Sequence, residues 1–343
     1  MTLVNRVSGS LFGLAYGDAL GAPTEFLTMK QIHQRYGVDG PRDFERTPAL
    51  VTDDTQMALA VAEGLVDALR NPPFDASLVT PMWRRRFIDW LHDPENNRAP
   101  GGTCLRACQG LDRGLPWERA TLIGSKGCGA NMRVTPVGLA PGLSDDQLAG
   151  AAQLQAALTH GHPTGLAASE LTALATRRLA DGMDPADLPS ALRRHATEQR
   201  TVYREAWLGS LWTHAHDPSA EAFIARGWDE CLAVLDRLDA ALRSPDRDAD
   251  PCEVTGAGWV AEEAFATGLY CFLLFPEDAV SAIWRGAASS GDSDSIACLA
   301  GAFAGAHLGM DAWPAEWASR IEYADRLRAV ADAWERTPSD DLA

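Results

Sequence analysis

GDSDSIACLAGAFAGAHL, residues 291–308, joins two carboxylates to a long run of small and apolar residues. Small side chains recur there at steps of three and four residues, which predicts an α-helix with one face of small residues. A second helix can approach such a face closely, because the distance between packed helices depends on the side chains at their contact. The stretch therefore predicts a helix in the core of a helical protein, with two acids at its start. The small-residue face consists of Ala297, Ala300, Gly301, Ala304 and Gly305.

The remainder of the chain is also typical of a helical protein. Its 343 residues are 46% hydrophobic, enough to bury a sizeable core, and β-branched residues, which favour strands, seldom cluster. We therefore expect one large all-α domain with connecting loops, and two domains are the less favoured alternative. Eight segments show helical periodicity, namely 56–69, 145–158, 165–179, 203–212, 221–242, 258–275, 279–288 and 295–307.

The net charge limits the classes of partner. With 47 acidic and 30 basic residues the formal charge is −17, so the chain repels phosphate backbones and anionic membrane surfaces. We expect no extended nucleic-acid interface, although one local pocket can still hold cations or a small anion. The most apolar stretch, 260–275, contains two glutamates and is too short to cross a bilayer easily, so no membrane span is expected.

Cysteine usage and the N-terminal sequence favour a cytoplasmic location. Seven cysteines without a C-x-x-C pair are typical of free thiols in a reducing compartment. Polar residues follow Met1 directly, without the basic and apolar segments of a secretory signal. The protein is therefore expected in the cytoplasm.

Two acidic clusters carry the most chemical information, VTDDT at 51–55 and GDSDS at 291–295. One interpretation is helix capping, since hydroxyl and carboxylate oxygens accept hydrogen bonds from the first free N–H groups of a helix. Capping needs one oxygen, however, whereas each cluster has two carboxylates and an adjacent hydroxyl. If the two helix starts converge, their oxygens form a cage of the kind that Mg²⁺ or Mn²⁺ prefers. We infer that the clusters meet in the core.

A related acidic motif belongs to the all-α isoprenoid synthases, in which a DD-x-x-D sequence binds diphosphate through magnesium. Here Asp53 and Asp54 supply the first two acids, but Met57 stands where the motif requires the third. An isoprenoid synthase is therefore the weaker alternative.

Four further segments accompany the clusters in a fixed order. Together with the clusters they resemble the ADP-ribosylglycohydrolase family, which has an N-terminal signature, a central G-x-G-x-x-M-R-x-x-P segment, a histidine motif and a substrate-facing loop. The resemblance covers most of the chain, from the first segment to the end of the helix predicted at 295–307. The four segments are GSLFGLAYGDALGAPTEF at 9–26, GCGANMRVTPVGL at 127–139, LTHGHP at 158–163 and TGAGWVAEE at 255–263.

The resemblance implies an all-α fold, a compact single-domain orthogonal helix bundle over residues 1–335 that is built around a central binuclear metal site. A flexible C-terminal tail would follow at 336–343. The implied reaction is hydrolysis of the N- or O-glycosidic bond between ADP-ribose and an acceptor, with free ADP-ribose as product. The substrate would be an ADP-ribosylated protein, nucleobase or small molecule. Such cleavage passes through an oxocarbenium-like state, and both leaving-group departure and water attack need assistance. The two divalent cations, Mg²⁺ or Mn²⁺, would be bound by Thr52, Asp53, Asp54, Asp292, Asp294 and Ser295.

Two carboxylates are candidates for the general base, the group that takes a proton from the attacking water. Glu25 lies in the N-terminal signature, and the resemblance places it at the position of a mobile catalytic glutamate. Asp54, in the first acidic cluster, is the other candidate. The structural alternative for Glu25 is a surface acid after a Pro turn.

Seven residues are expected from the resemblance to contact the substrate. Small residues let a phosphate or ribose approach the backbone, and a tryptophan flanks the adenine or ribose. The structural alternatives are turns for the glycines, a core position for the aromatic ring and a helix C-terminus that favours a partly charged imidazole for the histidine. Arg133 is expected to bind either a phosphate or a buried acid. The seven are Gly127, Gly129, Ala130, His160, Gly256, Gly258 and Trp259.

The central segment departs from one branch of the family. Arginine-specific members typically carry an acid and then an asparagine where this chain has Ser125, Lys126 and Cys128. This difference argues against arginine as the acceptor. At the metal site, Ser295 replaces the commoner threonine and keeps a ligating hydroxyl. Two further alternatives stay open: an ADP-ribose-binding or toxin-immunity protein that acts by occlusion, and an unrelated two-metal phosphoesterase.

Overall fold

The computed structural model describes residues 3–335 and shows a helical protein. Among these residues no β-strand forms, and the only strand-like pairs are three isolated bridges. The predicted all-α fold is therefore confirmed, whereas the predicted tail at 336–343 lies outside the described residues. The helices are α1 (Leu3–Gly21), α2 (Met29–Tyr36), α3 (Asp53–Leu69), α4 (Ala76–Leu91), α5 (Gly102–Asp112), α6 (Trp117–Ala120), α7 (Thr135–Leu139), α8 (Asp145–Ala157), α9 (Pro163–Ala180), α10 (Leu188–Gln199), α11 (Glu205–Leu208), α12 (Ala220–Arg243), α13 (Pro251–Thr255), α14 (Ala261–Leu274), α15 (Ala279–Ala287), α16 (Ser293–Leu308), α17 (Trp317–Arg320) and α18 (Ala324–Glu335). Short 3₁₀ turns occur at Ala22–Thr24, Cys128–Ala130, Leu211–His214 and Met310–Ala312.

Seven of the eight helices predicted from periodicity are confirmed, with ends displaced by a few residues. The remaining one, predicted at 203–212, is wrong. There the chain forms only the short α11 and a 3₁₀ turn, because Gly209 adopts a φ of +51° between them. This left-handed conformation ends a helix.

A close helix contact joins α1 to α16, the helix predicted from the 291–308 stretch. Glycines recur every fourth residue along α1, at positions 9, 13, 17 and 21, and pack against the backbone of α16 or the residues just after it. A Cβ atom added to Gly13 would lie 2.3 Å from the carbonyl oxygen of Gly301, and one added to Gly17 would lie 2.0 Å from that of Ala297. No side chain fits between the two backbones, so the predicted close approach is confirmed. The contact holds the acidic start of α16 against the end of α1.

Two expectations from composition concern membranes and thiols. Helix α14, which covers most of the apolar 260–275 stretch, is largely buried. None of the helices in the described chain is long and apolar enough to cross a membrane. All seven cysteines lie within the described residues, and each is a free thiol, as their spacing predicts.

Candidate active site

The two acidic clusters meet at the converging N-termini of α3 and α16. Thr52 caps α3, and its hydroxyl accepts a hydrogen bond from the backbone N–H of Asp54 at 3.3 Å. Ser295, in the first turn of α16, donates its hydroxyl proton to Oδ2 of Asp54 at 2.8 Å. This bond joins the clusters directly, so the inference that they meet is confirmed. The four cluster aspartates, Asp53, Asp54, Asp292 and Asp294, are all buried.

Glu25 joins the second cluster from the segment that follows α1. It comes directly after the 3₁₀ turn Ala22–Thr24. Three carboxylate oxygens, one each from Glu25, Asp292 and Asp294, lie within 4.8 Å of one another. Asp292 stands at the N-cap position of α16, but its side chain makes no capping hydrogen bond. Helix capping therefore does not account for Asp292, whereas Asp294 accepts the backbone N–H of Ser295 at 3.0 Å.

Asp18, an acid that the sequence analysis missed, supports the first cluster from α1. It is fully buried and accepts hydrogen bonds from the backbone N–H of Thr52 at 3.0 Å, the hydroxyl of Thr52 at 2.9 Å and the backbone N–H of Thr55 at 3.1 Å. These bonds fix the N-terminus of α3 and the direction of the Thr52 hydroxyl. Asp18 is the only acid in α1. A lone carboxylate in a largely apolar helix is the sequence signal that could have found it.

Six carboxylates are crowded at this site without a basic partner, since no Lys, Arg or His of the described chain forms an ion pair with any of them. Burial, as the largest cause, raises the pKa of each carboxyl. Together with repulsion from Asp294 it brings the pKa of Asp18 and Asp53 to about 7 and that of Glu25 to about 9. Buried charge without compensation is costly. Bound positive charge would therefore stabilise the ionised carboxylates of this site. The six are Asp18, Glu25, Asp53, Asp54, Asp292 and Asp294.

The donor atoms suit a hard divalent cation. Carboxylate and hydroxyl oxygens predominate, and these are the ligands that Mg²⁺ and Mn²⁺ prefer. Burial and repulsion from Asp294 raise the pKa of Asp292 well above its ordinary value, and a cation between the two carboxylates would neutralise both. Cys128 adds a soft donor, because its Sγ lies 3.1 Å from Oδ2 of Asp292 and 3.1 Å from Oγ of Ser295. The residues present fit the metals that the resemblance implies.

A cavity of about 320 Å³ opens over the acidic cluster, a volume in the range of ligand sites. We call it the catalytic cavity. Glu25 lines it and also lines a second cavity of about 630 Å³, and Thr52 lines that second cavity as well. Four of the seven predicted substrate contacts line the catalytic cavity and three do not. Those that line it are Gly127, Gly129, His160 and Trp259, and those that do not are Ala130, Gly256 and Gly258.

His160 presents a neutral imidazole to the cavity through a buried chain of hydrogen bonds. Arg133 donates from Nη2 to Oγ1 of Thr159 at 2.8 Å, and that hydroxyl bonds with Nδ1 of His160 at 2.8 Å. Because Thr159 accepts from Arg133, its own proton is available to Nδ1, which leaves the imidazole proton on Nε2. Burial and the nearby Arg133 charge lower the pKa of His160 to about 3. The expected partly charged imidazole is therefore wrong.

Arg133 supports the cavity wall from behind. Its guanidinium donates to the side chain and the carbonyl of Gln155 at 2.9 and 2.8 Å and to the carbonyl of Gly129 at 3.1 Å. It also lies over the ring of Phe87, 4.5 Å from the centroid. Within the described chain no carboxylate forms an ion pair with it, so the expected buried ion pair is wrong. Because protein acceptors take up its donors, it is not available to a phosphate either.

Gly256 and Gly258 shape the backbone behind the second cluster. Their φ angles are +121° and +84°, which favour glycine. A Cβ atom added to Gly258 would lie 3.2 Å from Cβ of Asp292. Between the two glycines, the carbonyl of Ala257 accepts the backbone N–H of Asp292 at 2.8 Å. The turn therefore fixes the position of Asp292.

An exposed aromatic pair stands at the mouth of the cavity. The rings of Phe26 and Trp259 stack with centroids 5.3 Å apart and an interplanar angle of 17°. The two residues are 66% and 42% exposed, so a core position for Trp259 is wrong. Exposed apolar rings beside a cavity are typical of ligand contacts. Phe26 was not predicted as a site residue, because no periodic pattern distinguishes it from a loop residue.

Replacing Asp18 by asparagine is expected to weaken Mg²⁺ or Mn²⁺ binding by roughly 10- to 100-fold, the usual cost of losing a group that orients a metal ligand. The amide NH₂ cannot accept the bonds that Thr52 and Thr55 donate. Isothermal titration calorimetry measures the metal affinity. Ser10→Ala is the matched control, because Ser10 is also buried on α1 and bonds to α16 away from the acids. Equal affinities in the two variants would contradict a supporting role for Asp18.

The chain matches the model of a known protein family over almost its whole length. The ADP-ribosylglycohydrolase model matches residues 1–342. A solved ADP-ribosylglycohydrolase-related protein complex has a similar fold, with a TM-score of 0.67 at 23% sequence identity. The match covers 97% of this chain and 98% of that chain.

Three named relatives are similar in sequence along most of their length. The ADP-ribosylhydrolase ARH3 of Homo sapiens is 28% identical, over 97% of this chain and 93% of that protein. The ADP-ribosyl-[dinitrogen reductase] glycohydrolase of Rhodospirillum rubrum is 26% identical, over 93% of this chain and 90% of that protein. The ADP-ribosylarginine hydrolase Tri1 of Serratia proteamaculans is 24% identical, over 96% of this chain and 78% of that protein.

Proposed function

The chain belongs to the ADP-ribosylglycohydrolase family, and from that premise we propose that it is a metal-dependent hydrolase of the glycosidic bond between ADP-ribose and an acceptor. Its function is then to reverse ADP-ribosylation. The observation that carries the proposal is the hydrogen bond between Ser295 and Asp54, at 2.8 Å, which unites two distant acidic clusters under one open cavity.

Two divalent cations are assigned to the united clusters. The four cluster aspartates carry four negative charges when ionised, which two divalent ions neutralise, and none of the four has a basic partner in the described chain. When bound, the cations would supply positive charge that orients the ribose hydroxyls and makes water more acidic. Mg²⁺ and Mn²⁺ both suit the oxygen donors. The assigned ligands are Thr52, Asp53, Asp54, Asp292, Asp294 and Ser295.

ADP-ribose is assigned to the catalytic cavity. Gly127 and Gly129 line the cavity, and because they have no side chain a phosphate or ribose can approach the backbone there. The Nε2–H of His160 is the donor available to the substrate on that wall. Trp259 and Phe26 offer ring faces to the adenine. Ala130, Gly256 and Gly258, which do not line the cavity, are assigned to shaping its walls.

Glu25 is assigned as the general base. It lies between two open cavities, so its carboxylate can take a proton from water and pass it to solvent. Bound cations would offset the neighbouring carboxylates that, together with burial, raise its pKa, and would keep it ionised. Asp54 is buried and accepts the Ser295 hydroxyl, which suits a metal ligand better than a proton carrier. Water deprotonated by Glu25 attacks the anomeric carbon, the bond to the acceptor breaks with its electron pair going to the acceptor, and the acceptor takes up a proton from solvent.

The proposal is tested by incubating the protein and Mg²⁺ or Mn²⁺ with arginine-, serine- and nucleobase-linked ADP-ribose and measuring free ADP-ribose. Release from at least one conjugate is expected, lost on chelation and restored by the metal. Ser125, Lys126 and Cys128 predict that the arginine conjugate is not the best of the three. Binding of a conjugate without any release would favour the occlusion alternative. Neither binding nor release of any conjugate would contradict the proposal.

Glu25→Ala is expected to slow hydrolysis by roughly 10²- to 10⁴-fold, the usual contribution of a general base, while changing the affinity for ADP-ribose much less. Turnover kinetics and calorimetric titration with ADP-ribose separate the two effects. Glu45→Ala is the matched control, because Glu45 lines the second cavity with Glu25 but not the catalytic cavity. Comparable losses of rate and affinity in Glu25→Ala would assign Glu25 to binding instead.

A further inference from the structure

A cavity of about 560 Å³ lies between α2, α15 and the loops that follow α2 and α12. It shares no lining residue with the catalytic cavity. Three arginines, Arg42, Arg247 and Arg285, line it together with His33, and we call it the arginine cleft. Such a concentration of guanidinium groups is unexpected in a chain of net charge −17. Guanidinium groups bind phosphate and carboxylate through paired N–H donors.

Two of these arginines are held against aromatic rings with N–H donors to spare. The guanidinium of Arg42 lies 4.0 Å from the ring centroid of Trp284, and that of Arg247 lies 4.9 Å from that of Phe275. Arg247 gives Nε–H to a backbone carbonyl at 3.1 Å and forms no ion pair in the described chain. Arg42 forms one exposed ion pair, through Nη2, with Asp39 at 3.1 Å. Stacking therefore fixes both groups and leaves N–H donors on each.

Arg285 positions the loop that carries Arg247. Its Nη1 donates to the carbonyl of Arg247 at 3.1 Å, and its Nη2 donates to the carbonyl of Ala288. Among the described residues no carboxylate forms an ion pair with Arg285, so its charge adds to the field of the cleft. The lining therefore has three guanidinium groups against the two carboxylates of Asp39 and Asp248.

We infer that the arginine cleft binds a small anion that carries phosphate groups. The free donors of Arg42 and Arg247 come from two different loops and line one cavity, so they can bind different oxygens of the same ligand. One ring face each of Trp284 and Phe275 is already covered by an arginine, so recognition falls to the guanidinium groups rather than to stacking of a base. The cleft is larger than the catalytic cavity, at about 560 against 320 Å³, and has room for a diphosphate.

The inference is tested by calorimetric titration of the full chain with pyrophosphate, at constant ionic strength and without added divalent cations, because pyrophosphate chelates them. Saturable binding is expected. Arg42→Ala with Arg247→Ala is expected to raise the Kd roughly tenfold or more, since charge-assisted hydrogen bonds are the strong ones. Arg70→Ala with Arg113→Ala is the matched control, since these arginines are exposed and line neither cavity. Arg247→Lys keeps the positive charge but loses the paired N–H donors of the guanidinium group. A Kd between those of the wild type and the double arginine variant is therefore expected.

Two further arms separate this site from the proposed active site. The Asp292→Asn, Asp294→Asn variant is expected to bind pyrophosphate as the wild type does, because those residues lie outside the cleft. Titrating the same variant with ADP-ribose and with AMP distinguishes a product diphosphate from a single phosphate ester. Absence of pyrophosphate binding, equal weakening in both arginine pairs, or loss of binding in the aspartate variant would each overturn the inference. None of these outcomes bears on hydrolysis.

Discussion

Replacing Asp292 and Asp294 together by asparagine abolishes turnover and preserves the helices, if the acids bind catalytic cations. A rate loss of roughly 10³-fold or more is expected, because a catalytic cation contributes several kcal/mol of transition-state stabilisation. The two carboxylates and that of Glu25 have oxygens within 4.8 Å of one another, and neutral amides would not hold cations among them. Release of free ADP-ribose measures the rate, and circular dichroism verifies the fold.

The Asp292→Asn, Asp294→Asn variant is also expected to differ from the wild type in the effect of metal on thermal unfolding. Wild-type protein is expected to gain stability from Mg²⁺ or Mn²⁺, since a ligand that binds only the folded state stabilises it, and the variant is expected to lose that gain. Asp145→Asn with Asp146→Asn is the matched control. These acids also form a pair in the first turn of a helix, α8, but they are exposed. Unchanged turnover in the Asp292 and Asp294 variant would rule the mechanism out.

Gly17→Ala is expected to lower the free energy of unfolding by roughly 3 kcal/mol, the upper end of the usual cost of overpacking. The new Cβ would lie 2.0 Å from the carbonyl oxygen and 2.3 Å from the carbonyl carbon of Ala297, and backbone atoms cannot rotate aside as a side chain can. Alanine favours a helix over glycine by about 1 kcal/mol, which does not offset the clash. The displacement would also move the adjacent Asp18 and reduce activity.

Urea unfolding followed by circular dichroism measures this effect. Gly124→Ala is the control, because a Cβ atom added there meets nothing within 4 Å. If both variants unfold at the same urea concentration, α1 and α16 are not as close as described.

Sequence predicted α16 and its tight packing because both depend on spacing within one segment. Its partner α1 was not predicted from periodicity, because the glycines at positions 9, 13, 17 and 21 interrupt its apolar pattern and lower its helix propensity. The glycine at every fourth residue of α1 indicates a close helix contact only once α16 is known to lie against it. The helix predicted at 203–212 failed because Gly209 has a positive φ, which residue periodicity does not encode.

At the site, the acids that occur together in one local motif were predicted from the sequence. The residues that packing brings in from distant segments were not. The acids of both clusters were found because each cluster concentrates carboxylates and hydroxyls within five residues. Asp18 was missed because its partners, Thr52 and Thr55, come from another helix. The support that Arg133 gives to Gly129 and, through Thr159, to His160 likewise depends on segments far apart in sequence.

Carboxylates from two distant helix starts are proposed to share divalent cations. Anomalous diffraction from crystals grown with Mn²⁺ tests this proposal most directly. Two manganese peaks are expected between the N-termini of α3 and α16, among the carboxylates of both acidic clusters. An active crystalline enzyme with no manganese between these helices would contradict the proposal.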